Sequence, residues 1–333
     1  MPIHEIGYRH WEGATRGPLV RWLAITRRGV GLAFRNKLLR KVFIAVYAPV
    51  LYFAPLFLAI GFATQPGVGE GAMGNFWTER VEDFFGHEAM ARIAAEPLVA
   101  RQAAWSLGFF YYFSFIAPFA AFLVIAFVGP PLISRDVRSR SFLLYFSKPI
   151  TIWEYVLGKG GVLASYIVAV SLVPALLFYT VSILFAPSLG ALFDTWTTAA
   201  RIGVAGLAFA IPVSVLMLVL SSLVRDSRYA TFAWIVLVVF GEMTYLIASQ
   251  LNRFEEQGWI VLFSIRQSLV AIYAKIFDVN GQFDVLGRSR RMEMIAEVLP
   301  PDGSLGYAAF AVGVVTVVGA LFVHRRIRGV LRV

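Results

Sequence analysis

Residues Trp105 to Val128 read WSLGFFYYFSFIAPFAAFLVIAFV, 24 positions without one charged side chain. A helix needs about 20 mainly apolar residues to cross a bilayer, so this stretch reads as a membrane span. Working outward, five more stretches qualify: Val42 to Phe62, Val162 to Ala186, Ala199 to Val224, Tyr229 to Ser249 and Gly306 to Val323. A further apolar stretch, Trp259 to Phe277, carries Arg266, Gln267 and Lys275, and reads as an interfacial or re-entrant element. The expected fold is an all-α integral membrane protein with six transmembrane helices.

Composition agrees. The 333 residues are 59% hydrophobic and 15% charged, where soluble domains carry about a quarter charged residues. So much apolar surface needs lipid as its solvent. Cysteine is absent, which excludes disulfides, thiolate metal sites and a cysteine nucleophile.

The charges set an orientation. With the N-terminus inside, the cytoplasmic parts hold 20 of the 30 Lys and Arg but only 5 of the 20 Asp and Glu. Excess Lys and Arg on the inner side is the usual bias of multi-pass proteins. The reading is a cell (inner) membrane protein with both termini cytoplasmic. No cleavable leader is evident, so the first span is expected to act as an uncleaved anchor. The domain plan is residues 1–41 as a cytoplasmic N-terminus, 42–324 as the transmembrane domain and 325–333 as a basic cytoplasmic tail. External segments cover 63–104 and 250–305, and a cytoplasmic loop covers 129–161. The net charge of +10 follows this topology, so membrane lipids and not nucleic acid are the expected partners. Leu19 to Lys41 mixes seven basic residues with Trp22, Leu23, Ile25, Val30, Leu32, Phe34 and Leu38, which suits an N-terminal amphipathic helix in the inner interface.

The cytoplasmic loop reads GPPLISRDVRSRSFLLYFSKPITIWEYVLGKGG from Gly129 to Gly161. Leu132 to Ser147 fits one short helix with a polar side (Arg135, Asp136, Arg138, Arg140) and an apolar end (Phe142, Leu143, Tyr145, Phe146). Pro149 disfavours helical geometry at Lys148 and should stop it. Thr151-Ile152-Trp153-Glu154 is a capping-box pattern that should start the next helix.

The run Leu132 to Lys159 resembles the first cytoplasmic loop of the ABC type-2 permeases, the exporter-type membrane subunits of ABC transporters. Their pattern I-x-x-D-x-(R/K)-x(4–5)-L, then S-(R/K)-P and Y-x-x-G-K, is matched here by Asp136, Arg138, Leu143, Ser147, Lys148, Pro149, Tyr155, Gly158 and Lys159. The resemblance implies that the loop is a coupling helix docking into a separate ATP-binding subunit. Arg135, Asp136, Arg138, Arg140, Phe142, Leu143, Tyr145 and Phe146 would then form the contact. Arg225, Asp226 and Arg228, in the turn after the fourth span, would add a smaller one. It also implies a second permease copy or a homologue, export and not import, and a fifth helix near the subunit interface. Two plainer readings stand beside it: a basic loop that only fixes topology, and a simple charged turn.

No Gly-x-x-x-x-Gly-Lys-Ser/Thr phosphate loop occurs; Gly158-Lys159-Gly160-Gly161 lacks the upstream glycine and the hydroxyl. The expectation is therefore a transport subunit and not an enzyme, with no cofactor on this chain, and ATP and Mg bound by the partner ATPase. A mechanical or scaffolding subunit that passes no solute is the alternative, and an integral membrane enzyme a more distant one, since no catalytic cluster appears. Glu242 is the only acidic residue within a span. It reads either as part of the translocation path, facing a cationic group or proton, or as a protonated carboxyl hydrogen-bonded to a hydroxyl on a packed helix, or as one near enough the outer surface to be hydrated. Ala199, Gly203, Gly206 and Ala210 read as a packing stripe. Glu79, Glu82, Asp83, His87 and Glu88 are of metal-ligand type but read as a solvated acidic surface.

Overall fold

Lipid offers no partner to a bare backbone N–H or C=O, so a chain this apolar has to satisfy them internally. Among the described residues it does so with helices and no strand. The computed structural model describes residues 17–52, 54–63, isolated positions between 75 and 91, 95–147, 150–184, 190–251, 257–286 and 299–330.

In chain order the helices are α1 (Pro18–Phe34), α2 (Lys37–Tyr52), α3 (Ala54–Ala63), α4 (Pro97–Tyr111), α5 (Ala117–Val128), α6 (Pro131–Arg138) and α7 (Phe142–Phe146). There follow α8 (Ile152–Val170), α9 (Leu172–Leu184), α10 (Gly190–Leu223), α11 (Ser227–Gln250), α12 (Ile265–Ile276), α13 (Val279–Leu286) and α14 (Ser304–Val330). Among the described residues, six stretches are long and apolar enough to cross a membrane: Lys37–Ile60, Val99–Arg138, Ile152–Leu184, Thr195–Leu223, Ser227–Gln250 and Ser304–Gly329. Each takes the place of one expected span, and the chain is a multi-pass, six-helix membrane protein.

The stave Val99–Arg138 is the core, with Trp105, Phe109, Phe110, Tyr112, Phe113, Ala117 and Val124 fully buried. A π-helical turn, Tyr112–Ile116, joins α4 to α5. Pro118 lies just beyond it and has no N–H to return to the carbonyl of Ser114, four residues earlier. Another group takes that carbonyl, as described below.

α1 does not stand apart from the bundle; it packs along α8. Three glycines make the approach possible. A Cβ on Gly29 would meet Val162 at 2.4 Å, on Gly158 would meet Ile25 at 2.7 Å, and on Gly161 would meet Thr26 at 2.6 Å. Thr26 donates from Oγ1 to the Gly158 carbonyl (3.0 Å) and Tyr166 from its hydroxyl to that of Val30 (3.0 Å). Small residues are a common way for intramembrane helices to meet closely. On α10 the same device works in part: Gly206 admits Leu172 and Ala210 is buried, while Gly203 faces open space.

The stretch Trp259 to Phe277 enters the bundle. A 3₁₀ turn, Gly258–Phe263, starts against the backbone of Gly303 and Ser304 and brings the Phe263 carbonyl to Gly241 of α11, where a Cβ would lie 2.7 Å away. α12 then buries Gln267 to Ala271, Tyr273 and Phe277, and α13 packs on α4. Gly241 lies nine residues inside the end of α11 at Gln250. At 1.5 Å per residue the hairpin dips roughly 14 Å below that end.

Candidate functional site

The loop is anchored from three directions. Its first helix, α6, has no side-chain cap of its own. Instead Ser221, near the end of α10, accepts from the N–H groups of Ile133 (3.0 Å) and Ser134 (3.1 Å) and donates to the Pro130 carbonyl (2.6 Å). The hydroxyl of a distant helix thus satisfies two of the N–H groups that a helix start leaves unpaired.

The expected single helix over Leu132 to Ser147 is broken. α6 ends at Arg138, the Ser141 N–H returns to the Asp136 carbonyl (3.1 Å), and Arg140 takes a left-handed conformation (φ 52°) before α7 begins. This is a Schellman ending, in which glycine is the usual residue at the left-handed position. Ser139 assists, donating from Oγ to the Arg135 carbonyl (2.8 Å). Placing arginine there costs about 1–2 kcal/mol. The expected stop at Lys148-Pro149 lies outside the described residues, as does the side chain of Leu143. The capping box forms: Thr151 accepts from the Glu154 N–H (3.2 Å) and Glu154 accepts from the Thr151 N–H (2.7 Å). Arg21 of α1 reaches Glu154 at 3.8 Å.

The expected contact residues divide into two groups. Asp136 is buried, accepting from the Tyr155 hydroxyl (2.7 Å) and pairing with Lys159 (2.6 Å). Phe142 is buried against Tyr155, and Tyr145 and Phe146 also pack on that ring. Lys159 lies over the rings of Tyr145 (5.4 Å) and Tyr155 (5.5 Å). These groups fasten the loop to α8. Arg135, Arg138 and Arg140 are exposed and point out of it. In the second turn Arg225 and Arg228 are exposed, while Asp226 is the N-cap of α11, accepting from the Arg228 N–H (3.1 Å).

A second polar cluster lies within the span-length helices. Glu242 of α11 accepts from Arg266, from Gln267 Nε2 (2.9 Å) and from Ser264 Oγ (2.8 Å). All three donors come from the start of α12 or the residue before it. Arg266 also donates to the Ser114 carbonyl (2.9 Å), the one Pro118 leaves without its helical partner, and its guanidinium lies 5.6 Å from the Phe115 ring centre. Beside this cluster is a cavity of about 440 Å³ between α5, α10, α11 and α12. Phe115, Phe119, Phe122, Phe209, Trp234, Val238 and Leu269 line it, and Glu242, Arg266 and Ser114 form its polar end.

Sequence reasoning singled out Glu242 but not its partners. The signal was present: a lone carboxylate in one apolar stretch and a lone arginine in the next. Lys159 entered only as a motif position, and its role as counter-ion to Asp136 was not foreseen. Elsewhere, His87 lies 2.8 Å from Glu82, and Gly86 between them has φ 90°; Glu88 is outside the described residues.

No family model matches the chain. No curated protein matches it either.

Proposed function

We propose that this chain is the membrane-spanning permease subunit of an ATP-driven ABC-type exporter, in the cell (inner) membrane with both termini in the cytoplasm. The observation that carries the reading is the build of the loop from Pro131 to Phe146. It presents Arg135, Arg138 and Arg140 outward on a mount fixed by the Asp136–Lys159 pair, Tyr155 and Ser221. A loop that only set topology would need its charges but not this rigid mount. A separate ATP-binding subunit, carrying ATP and Mg, docks here, and a second permease copy or a homologue completes the pore.

The route of the motion follows from continuity. α6 extends the core stave Val99–Arg138, so displacement at the loop travels along one rod to the π turn, where the Ser114 carbonyl holds Arg266. Asp136 and Lys159 pass the same displacement to α8, and α8 to α1. The polar cluster around Glu242 lines the translocation path.

Co-purification with an ATP-binding subunit, then ATPase assay of Arg138→Glu and Arg140→Glu, tests this. Loss of assembly or of the permease's effect on ATPase rate is expected. Unchanged assembly and rate in both variants would sink the proposal.

A further inference from the structure

We propose that the cavity beside Glu242 binds a neutral amphiphile drawn from the bilayer, with an apolar chain and a polar group that accepts hydrogen bonds. This deepens the reading of that cavity as the translocation path, and rests on it, by naming the class of molecule that enters.

The size is right: about 440 Å³ falls in the roughly 300–1,000 Å³ range of small-molecule sites. The walls decide the body of the ligand. Phe119, Phe122, Ile125, Phe209, Val213 and Trp234 give an aromatic and aliphatic lining with no charge among them. Trp234 uses its one N–H on the Phe122 carbonyl (3.3 Å), so its ring offers only an apolar face to the cavity. Phe119 (58% exposed) and Met243 (53% exposed) stand at its rim, on the sides of span-length helices, where lipid would be the neighbour.

The polar end decides the head. Both Glu242 oxygens already accept from Arg266, Gln267 and Ser264, so the carboxylate is neutralised from within and offers little to a cationic ligand. Donor capacity remains. Arg266 has five N–H groups and uses two in its bonds to Glu242 and Ser114. Ser114 belongs to the cavity wall, and its buried hydroxyl has no hydrogen-bond partner among the described residues. A buried hydroxyl without a partner costs free energy that a ligand acceptor would recover. An ester, amide or ether oxygen fits these donors, and its lack of charge suits a pair whose charges cancel.

The test uses the purified full chain in phosphatidylcholine vesicles, without an ATPase. Two photoreactive probes of equal chain length are compared, a diazirine-bearing monoacylglycerol and a diazirine-bearing alkyltrimethylammonium, with labelled residues mapped by mass spectrometry. The expected result is saturable labelling of Phe119, Phe122, Trp234 and Val238 by the neutral probe, removed by unlabelled monoacylglycerol. Val238→Trp, which puts a bulky ring into the cavity wall, should sharply reduce it while leaving labelling at the exposed Val317 of α14 unchanged. Ser114→Val should weaken saturation by about three- to tenfold, the worth of one hydrogen bond. Cavity labelling no stronger than at Val317, labelling that unlabelled competitor leaves in place, or equal or better labelling by the cation would overturn the proposal. Such a failure would leave loop docking untouched, because that is read separately through Arg138→Glu and the ATPase.

Discussion

Lys159 Nζ lies 2.6 Å from Asp136 Oδ2, joining the loop to the third span-length helix by a pair whose side chains are each 11% exposed. Removing one partner of a buried pair strands the other charge and costs about 3–5 kcal/mol. Lys159→Met should therefore lower thermal stability in detergent, and so should Asp136→Asn, which keeps an oxygen for Tyr155. The double variant should lose less than the sum of the two, since no charge is left alone. The exposed arginines are intact in this variant, so if the loop docks an ATPase as proposed, Lys159→Met should still bind it. Its defect should lie in transport-linked stimulation. Loss of binding equal to that of Arg138→Glu would show that the pair only folds the loop.

Arg140 separates fold from function at a single position. Its left-handed backbone favours glycine, so Arg140→Gly should stabilise the protein by about 1 kcal/mol. The same change removes an exposed charge from the proposed docking surface and should weaken ATPase assembly. Stability would be read by thermal denaturation and assembly by co-purification. A variant that is more stable and equally well assembled would take Arg140 out of the contact.

What the sequence made legible follows from the range of each interaction. The six spans were readable because bilayer thickness imposes a length on each segment. The capping box at Thr151 and Glu154 was readable because its two bonds close within four residues. The break at Ser139 to Ser141 was not, since it places a non-glycine residue at a left-handed position. The Asp136–Lys159 and Glu242–Arg266 pairs were hidden for another reason. Their partners are 23 and 24 residues apart, and helix periodicity says nothing about which neighbour a buried charge will find. Burial of Phe142 also went unforeseen, because an aromatic residue near a basic loop looks the same whether it faces a partner or its own helix.

Ser221 is the clearest long-range case, a serine ordinary in sequence that caps α6 from 87 and 88 residues away. Ser221→Ala should leave the Ile133 and Ser134 N–H groups buried without an acceptor and cost about 1 kcal/mol, as loss of a helix cap does. Amide hydrogen exchange should quicken at Ile133 and Ser134 while α8 is unchanged. Equal protection in variant and parent would mean that another group holds the start of α6.

The orientation can be tested directly, because the chain has no cysteine and single cysteines can be placed in it without a background. Arg138, Arg228 and Arg325 are exposed at the basic end of the bundle, and Glu96 and Asp302 are exposed near the starts of α4 and α14. The proposed orientation, drawn from the charge bias, has the basic end in the cytoplasm. A membrane-impermeant maleimide added to intact cells should then label Glu96→Cys and Asp302→Cys. Arg138→Cys, Arg228→Cys and Arg325→Cys should react only after permeabilisation. The reverse pattern would place Arg135, Arg138 and Arg140 away from any cytoplasmic ATPase, and the proposed coupling would fail with the topology. Labelling of Arg138 and Asp302 from the same side would instead contradict the six-span path.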